Sequence, residues 1–207
     1  MALNPAQPPK SAKFSKPPRR QPNATLRTRE YLTQHEVEQL QQAARQLGRH
    51  GHRDATLILL MFRHGLRVVE ASTLKWEQVD FTQATLHVSR VKHGKSATHP
   101  LQGVTLRALR KLQRDAPDTP YLFVSERGAP VTPRTIHHII ARAGQAADFP
   151  FPVHPHMLRH GTGFYLANRG CDTRTIQAYL GHTNINNTVI YTALAPQRFN
   201  GLWAETL

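Results

Sequence analysis

The residue types best suited to chemistry lie together near the end of the chain. His156 and Arg159 are three residues apart, so on a helix both side chains project from one face, and an imidazole and a guanidinium can contact the same phosphate. His182 follows directly after Gly181, and Tyr191 comes nine residues later. Because a tyrosine hydroxyl at short range is a candidate nucleophile, this stretch suits attack on a phosphate ester.

Arg67 and Glu70 form a second group of this kind earlier in the chain. They are also three residues apart, so the carboxylate of Glu70 can orient the guanidinium. A guanidinium suits phosphate recognition because its donors form a fork that matches two oxygens. Taken alone, the same spacing describes an ordinary ion pair on a helix surface.

Helices are predicted to position most of these side chains. Thr33 and Glu36 form the signature of a helix N-terminus, and Thr132 followed by Pro133 predicts another. Apolar residues recurring at helical spacing predict further helices, over 34–47, 54–62, 66–74, 105–112, 132–144, 156–168, 173–180 and around Tyr191. Short β-like segments predict a small antiparallel sheet and one more strand, over 76–81, 85–91, 97–101 and 121–124. The predicted fold class is mainly α with a small antiparallel β-sheet.

The charge balance indicates a polyanionic partner. The chain has 27 lysines and arginines against 13 aspartates and glutamates, a formal net charge of +14, which favours nucleic acid first and an anionic membrane surface second. No apolar run is long enough to cross a membrane and the N-terminus lacks an apolar signal segment, so we expect a cytoplasmic, nucleoid-associated protein.

Metal chemistry is weakly supported by the sequence. The chain has 13 histidines, which we interpret as a protonatable basic surface rather than a metal site. Its acidic residues are sparse, which argues against a two-metal nuclease, and its single cysteine, Cys171, excludes an internal disulfide. We therefore expect neither a metal nor another cofactor.

These motifs resemble those of the tyrosine recombinase (phage integrase) family. The family's first box, G-L-R-x-x-E, is matched at residues 65–70, and its second, H-x-x-R followed by G-H and Y, is matched from His156 to Tyr191. The resemblance covers nearly all of the chain after residue 30. The segments that are similar to the small recombinases inverting the fimbrial phase switch of enteric bacteria are 98–101, 154–160, 166–170, 172–182 and 191–193. The resemblance implies the catalytic-domain fold of DNA breaking-rejoining enzymes.

The resemblance also implies a covalent DNA recombinase. Tyr191 would attack a DNA phosphate, and a 3′-phosphotyrosine would keep the bond energy so that the reaction can be reversed. Arg67 and Arg159 would clamp the phosphoryl oxygens, and His182 would hydrogen-bond one of them. From the residues alone, Tyr191 can instead be a packing residue of a C-terminal helix, and His182 a helix-end residue after a glycine cap.

Proton transfer is assigned by the same resemblance. Lys92 stands where the family has its general acid, on a tight turn between two strands, at the family's spacing from Pro100 and Leu101. An ammonium there can protonate the leaving 5′ oxygen, with His156 assisting. Lys95 is the main alternative to Lys92, and a solvated hairpin lysine is the remaining interpretation.

Recognition of the DNA sequence is less visible. In the tyrosine recombinase family, a helix at the position of 133–144 enters the DNA major groove. The resemblance therefore makes Arg134 a candidate for a guanine contact. Lys95 is the second candidate DNA contact. His138 and Arg142 either contact phosphates or simply lie on the surface.

We expect two parts in this chain. Residues 1–28 are predicted to be a disordered, basic, proline-rich tail, which either contacts phosphates non-specifically or has no role, and residues 29–207 the catalytic domain. Larger relatives carry a separate N-terminal core-binding domain of about a hundred residues, which is not expected here. The apolar residues Phe199, Leu202 and Trp203 are expected to dock on a neighbouring protomer or on their own domain.

The implied partners are double-stranded DNA with inverted repeats, further copies of the chain in a homotetramer, and accessory DNA-bending proteins. The expected outcome is inversion of a promoter segment, and so regulation of transcription. Integration or excision of a mobile element is the second possibility. The main alternative to an enzyme is a non-catalytic DNA-binding regulator on the same scaffold. An RNA-binding domain is a third possibility, but the sequence has no aromatic-rich strand to support it.

Overall fold

The computed structural model describes residues 30–91, 94–115, 118–193 and 195. Within them, the α-helices are α1 Gln34–Gln46, α2 Gly51–Arg63, α3 Val68–Ser72, α4 Gly103–Asp115, α5 Pro133–Ala146, α6 Pro155–Asn168, α7 Thr173–Leu180 and α8 Asn186–Ala193. The strands are β1 Val79–Asp80, β2 Thr85–Val88 and β3 Ala97–Pro100, and they form one antiparallel sheet in the order β1-β2-β3. The expected mainly helical fold with a small antiparallel sheet is confirmed. No helix in this described part of the chain combines the length and apolar character needed to cross a membrane.

Side-chain caps explain where several helices begin. Thr33 and Glu36 make the predicted reciprocal cap at the start of α1, with the backbone N–H of Thr33 donating to Glu36 Oε2 at 2.8 Å. Thr132 caps α5 by accepting the backbone N–H of Thr135 at 3.1 Å. The carboxylate of Asp172 caps α7 by accepting the backbone N–H groups of Arg174 and Thr175. α7 begins and ends at the predicted residues.

Other helix bounds differ from the predictions. α2 and α4 extend beyond the predicted ranges 54–62 and 105–112 at both ends, because periodicity marks only the buried face and not the polar first and last turns. α3 is shorter than the predicted 66–74. Gly65 has a positive φ of 56° and the carboxylate of Glu70 caps the backbone N–H of Arg67 at 2.9 Å, so the helix begins only at Val68.

Two of the predicted strand segments take other forms. In place of a strand over 76–81, one turn of 3-10 helix at Trp76–Gln78 precedes the two-residue β1, since the backbone N–H of Lys75 donates to Gln78 Oε1 at 3.0 Å and curls the chain. The segment 121–124 makes isolated bridges only, from Tyr121 and Val124 to two different segments. Apolar character alone cannot distinguish such a segment from a paired strand.

The buried apolar residues form two clusters. The larger is built by helices α1 to α6 with the sheet. The smaller lies among α6, α7 and α8 and contains Ala167, Ile176, Leu180, Tyr191 and Ala195. α6 contributes to both clusters and therefore connects them. Phe199, Leu202, Trp203 and the predicted tail 1–28 lie outside the described residues.

Candidate active site

Arg67 is held at the start of α3 by Glu70. The Arg67 Nη1 donates to Glu70 Oε1 at 2.7 Å, so the contact predicted from their spacing is present. The Glu70 side chain is 1% exposed whereas that of Arg67 is 30% exposed. Burial raises the pKa of Glu70, but the Arg67 backbone N–H and the charge of Arg90 outweigh it and hold the pKa below its usual value. Glu70 is therefore an ionised support for a guanidinium that faces outward.

Arg159 lies in the first half of α6 and is almost fully buried. Its Nη1 donates to the carbonyl of Gly65, and its Nη2 donates to the carbonyl of Leu180 at 2.7 Å. Burial lowers the pKa of this guanidinium to about 9, which leaves it charged at neutral pH. The side chain thus ties α6 to the turn after α2 and to the C-terminus of α7.

Arg90 is a buried third arginine that the sequence did not single out. Its side chain is fully buried and pairs with Glu70, with Nη1 and Oε2 at 2.8 Å. Nη1 also donates to the Gly65 carbonyl at 3.1 Å, and Nη2 donates to the carbonyls of His64 at 3.0 Å and Tyr179 at 2.7 Å. The Gly65 oxygen is consequently shared by Arg90 and Arg159, and the Glu70 carboxylate is shared by Arg90 and Arg67. Arg90 therefore supports both predicted arginines from within the core.

A cavity of about 300 Å³ lies beside the two predicted arginines. Its lining includes Arg67, His156 and Arg159, together with Val91 and His137. Three of the predicted site residues, one at the start of α3 and two from α6, therefore converge on one concavity. His137 comes from α5 and is one helical turn after the exposed Arg134, so those two side chains project from one face of α5.

His182 is placed by a left-handed glycine. Gly181 ends α7 with φ 65° and ψ 39°, a conformation that glycine adopts without steric penalty. The His182 Nδ1 lies 2.8 Å from Thr188 Oγ1. Burial, followed by the charge of Arg159, lowers the pKa of His182 to about 4. His182 is a helix-end residue in local terms, and its ring also stacks with that of Tyr191 at 6.4 Å between centroids.

Tyr191 is buried in the smaller cluster, with 2% of its surface exposed. Its hydroxyl oxygen lies 3.1 Å from Nδ1 of His160. A Cβ added to Gly163 of α6 would stand 2.5 Å from the Tyr191 ring, so only a glycine allows this close approach. Burial raises the pKa of the phenol to about 12, although the charges of Arg159 and Arg67 act in the opposite direction. The tyrosine is therefore near the two cations while it packs as a core residue.

Of the two candidate lysines, the structure describes only Lys95. Lys92 and His93 lie outside the described residues. On one side of them, the backbone N–H of Val91 donates to Glu70 Oε1 at 3.3 Å; on the other, a Cβ on Gly181 would stand 2.6 Å from the carbonyl oxygen of Lys95. The chain on both sides of Lys92 thus borders the site, and the Lys95 side chain is exposed.

Sequence reasoning missed Arg90, His160 and Gly163 as parts of the site. His160 had a signal, since it directly follows Arg159 in the second motif. Arg90 and Gly163 had none, because their importance depends on partners from other elements. Among the described residues, no three His, Cys, Asp or Glu side chains are grouped as a metal site.

Comparison with known proteins shows which family this chain resembles in sequence. The sequence pattern of the phage integrase family matches residues 30–198. The type 1 fimbriae regulatory protein FimB of Escherichia coli (strain K12) is 41% identical over 185 residues, covering 87% of this chain and 92% of that protein. FimE of the same strain is 41% identical over 181 residues, covering 84% of this chain and 91% of that protein.

Solved structures agree with this. The crystal structure of XerA recombinase has a TM-score of 0.70 and 30% identity, covering 81% of this chain and 61% of that chain. The pre-cleavage complex of XerH recombinase with its difH substrate has a TM-score of 0.68 and 22% identity, covering 79% of this chain and 50% of that one. The chain thus spans about half to three fifths of these structures, and it shares their fold. Together with the two assembled motifs, these matches show that the chain belongs to the phage integrase family and is a tyrosine recombinase.

Proposed function

We propose that the chain cleaves and rejoins DNA through a 3′-phosphotyrosine formed by Tyr191. The observation that carries this proposal is the convergence of Arg67 and Arg159 on one cavity, with both charges acting on the phenol of Tyr191. A phosphodiester attacked by an oxygen needs charge stabilisation at its non-bridging oxygens. Two forked guanidinium groups are suited to that task.

Each supporting residue has a distinct task in this proposal. Glu70 orients Arg67, and the carbonyls of Gly65 and Leu180 fix Arg159. His182, neutral because its pKa is lowered to about 4, donates a hydrogen bond from Nε2 to a phosphoryl oxygen. Its Nδ1 then accepts from Thr188, which fixes the tautomer.

The leaving 5′ oxygen must gain a proton. We assign this to Lys92, with His156 assisting from the cavity that it lines. Val91 and Lys95, on either side, border the site, which supports this assignment over a distant solvated lysine. No metal or other cofactor has a task in these steps.

The DNA partner is proposed from charge and from α5. The net charge of +14 favours a polyanion, and Arg134 is exposed one turn from the cavity-lining His137. Relatives were solved as XerH bound to difH substrate and as a lambda integrase dimer bound to a core site. For this chain we propose a homotetramer on inverted repeats, with accessory DNA-bending proteins, and residues 29–207 as its catalytic domain.

The biological outcome is proposed from the fimbrial relatives. FimB and FimE are named as type 1 fimbriae regulatory proteins, and this chain matches over 90% of their length. We propose that it inverts a promoter segment. Integration or excision is the second candidate, supported by the integrase structures with transposon DNA that share its fold.

A covalent-adduct assay tests the proposal. The purified protein is mixed with nicked, labelled duplexes tiled from around its own gene, quenched in detergent and resolved by electrophoresis. We expect protein-linked DNA with the native chain and none with Tyr191→Phe, which should bind the same fragments equally well. An adduct that survives Tyr191→Phe would move the nucleophile elsewhere. Tight binding without any adduct would favour the non-catalytic regulator.

A further inference from the structure

His160 stands between the proposed nucleophile and the phosphate-binding residues. It follows Arg159 on α6 and is half-buried. Its Nδ1 lies 3.1 Å from the Tyr191 hydroxyl oxygen, and its ring meets that of His156 edge to face at 4.2 Å between centroids. The steps assigned so far give this imidazole no task.

We propose that His160 is the proton acceptor that activates Tyr191, and that it returns the proton when the strand is rejoined. The inference rests on the proposed function. Its geometric basis is the direct contact between a ring nitrogen and the reacting hydroxyl, within the distance over which a general base operates.

The surroundings of His160 favour the form that a base needs. Burial, then the neighbouring charges of His156, Arg159 and His154, lower its pKa to about 4, and His182 also lies close enough to interact electrostatically. The imidazole is therefore neutral at neutral pH. With its proton on Nε2, the Nδ1 lone pair faces the hydroxyl of Tyr191.

Tyr191 needs such a base. Burial raises the pKa of its phenol to about 12, so the hydroxyl is protonated at neutral pH and a weak nucleophile. A DNA phosphate bound to Arg159 would offset the positive charge beside His160 and so raise the pKa of His160. That change brings the base closer to the operating pH, where proton transfer is most efficient.

The step balances as follows. His160 Nδ1 takes the phenolic proton while the Tyr191 oxygen forms a bond to phosphorus. The bond from phosphorus to the 5′ oxygen breaks, and its electron pair leaves with that oxygen, which gains a proton from Lys92 or His156. On rejoining, the 5′ hydroxyl attacks the phosphotyrosine and gives its proton back to Lys92 or His156. The bond from phosphorus to the Tyr191 oxygen breaks, and the protonated His160 returns its proton to the departing phenolate.

Two substitutions separate proton transfer from positioning. His160→Asn keeps an acceptor oxygen near the position of Nδ1 but removes the basicity, and His160→Ala removes both. We expect both variants to bind DNA normally and to lose about 100-fold in the single-turnover rate of adduct formation. The exposed His35 on α1 supplies the control, and His35→Asn should react at the native rate. A native rate in His160→Asn would overturn the inference.

A modified substrate identifies which proton is involved. When sulfur replaces the bridging 5′ oxygen, the leaving thiolate needs no proton because a thiol is far more acidic than an alcohol. Lys92→Ala should regain activity on this substrate, whereas His160→Asn should stay slow because its defect concerns the nucleophile. Recovery of His160→Asn would show that His160 serves the leaving group and would overturn the inference. If the native chain forms no adduct on either substrate, the proposed function fails and this inference with it.

Discussion

At the scale of single residues, the two arginines of the site differ in what fixes them. Arg67 has a carboxylate partner and an exposed face, whereas Arg159 is buried and held by the carbonyls of Gly65 and Leu180. We predict that Arg159→Lys loses at least about 100-fold in adduct formation, since an ammonium cannot fork onto two oxygens and hold both carbonyls. Gel-shift binding and single-turnover cleavage measure the effect; near-native cleavage would remove Arg159 from the phosphate clamp.

Gly163 gives a second prediction at this scale. A Cβ at this position would overlap the ring of Tyr191, and neither the helix backbone nor the packed ring can move freely. We predict that Gly163→Ala lowers the free energy of unfolding by about 1–3 kcal/mol and slows adduct formation by displacing Tyr191, the proposed nucleophile. Gly103→Ala is the matched control, because its Cβ would meet only the end of the Arg107 side chain at 3.4 Å. Equal urea-unfolding midpoints for the two variants would contradict this.

At the scale of elements, Arg90 joins segments that the sequence keeps far apart. It binds Glu70 at the start of α3, the carbonyls of the turn after α2, and the last turn of α7. We predict that Arg90→Lys lowers the free energy of unfolding by about 1–3 kcal/mol, because an ammonium cannot bind the carboxylate and all three carbonyls at once and so leaves buried acceptors unsatisfied, and that it impairs cleavage as well. The exposed Arg114 of α4 provides the control, and Arg114→Lys should unfold like the native chain. Matching denaturation curves for all three proteins would refute the role of Arg90.

The same elements show what the sequence could predict. α7 was predictable to the residue because its cap, its apolar face and its terminal glycine are all local signals. Arg67, Arg159, His156, His182 and Tyr191 were predicted from motifs as site residues, and the structure brings Arg67, His156 and Arg159 to one cavity. Arg90 was not predictable, because a buried arginine has no periodic signal and its partners are 20 to 89 residues away in the chain. The short β1 and the 3-10 turn were missed because one side-chain hydrogen bond decides between turn and strand.

At the scale of the whole molecule, buried histidines connect stability to pH. His64 and His99 are each at most 2% exposed, and their Nδ1 atoms lie 3.3 Å apart. Burial lowers the pKa of His64 to about 3 and that of His99 to about 4. The folded form keeps both neutral, while the unfolded chain takes up protons below about pH 6.5. Stability contributed by this pair is therefore complete above that pH and is lost as pH falls towards 4.

We predict that the free energy of unfolding falls between pH 6.5 and 4 by up to about 1.4 kcal/mol per pH unit for each of these histidines. Urea unfolding at half-unit pH intervals measures the slope. His99→Gln should make the slope shallower, whereas His87→Gln, which removes an exposed histidine from β2, should leave it unchanged. A stability that does not vary over this range would show that the pair is not held neutral.

The division of the core into two clusters affects when Tyr191 can leave its buried position. Tyr191 belongs to the smaller cluster, with Ala167, Ile176, Leu180 and Ala195, and not to the larger one. A small cluster that is separate from the main core can open at a fraction of the free energy needed to unfold the whole domain. α8, which carries Tyr191, can thus leave this cluster while Arg159 and Arg90 keep their hydrogen bonds to the carbonyls of Leu180 and Tyr179 at the end of α7. Under the proposed function, the protein would search DNA with the Tyr191 hydroxyl buried, and would expose it where a bound phosphate stabilises the open arrangement.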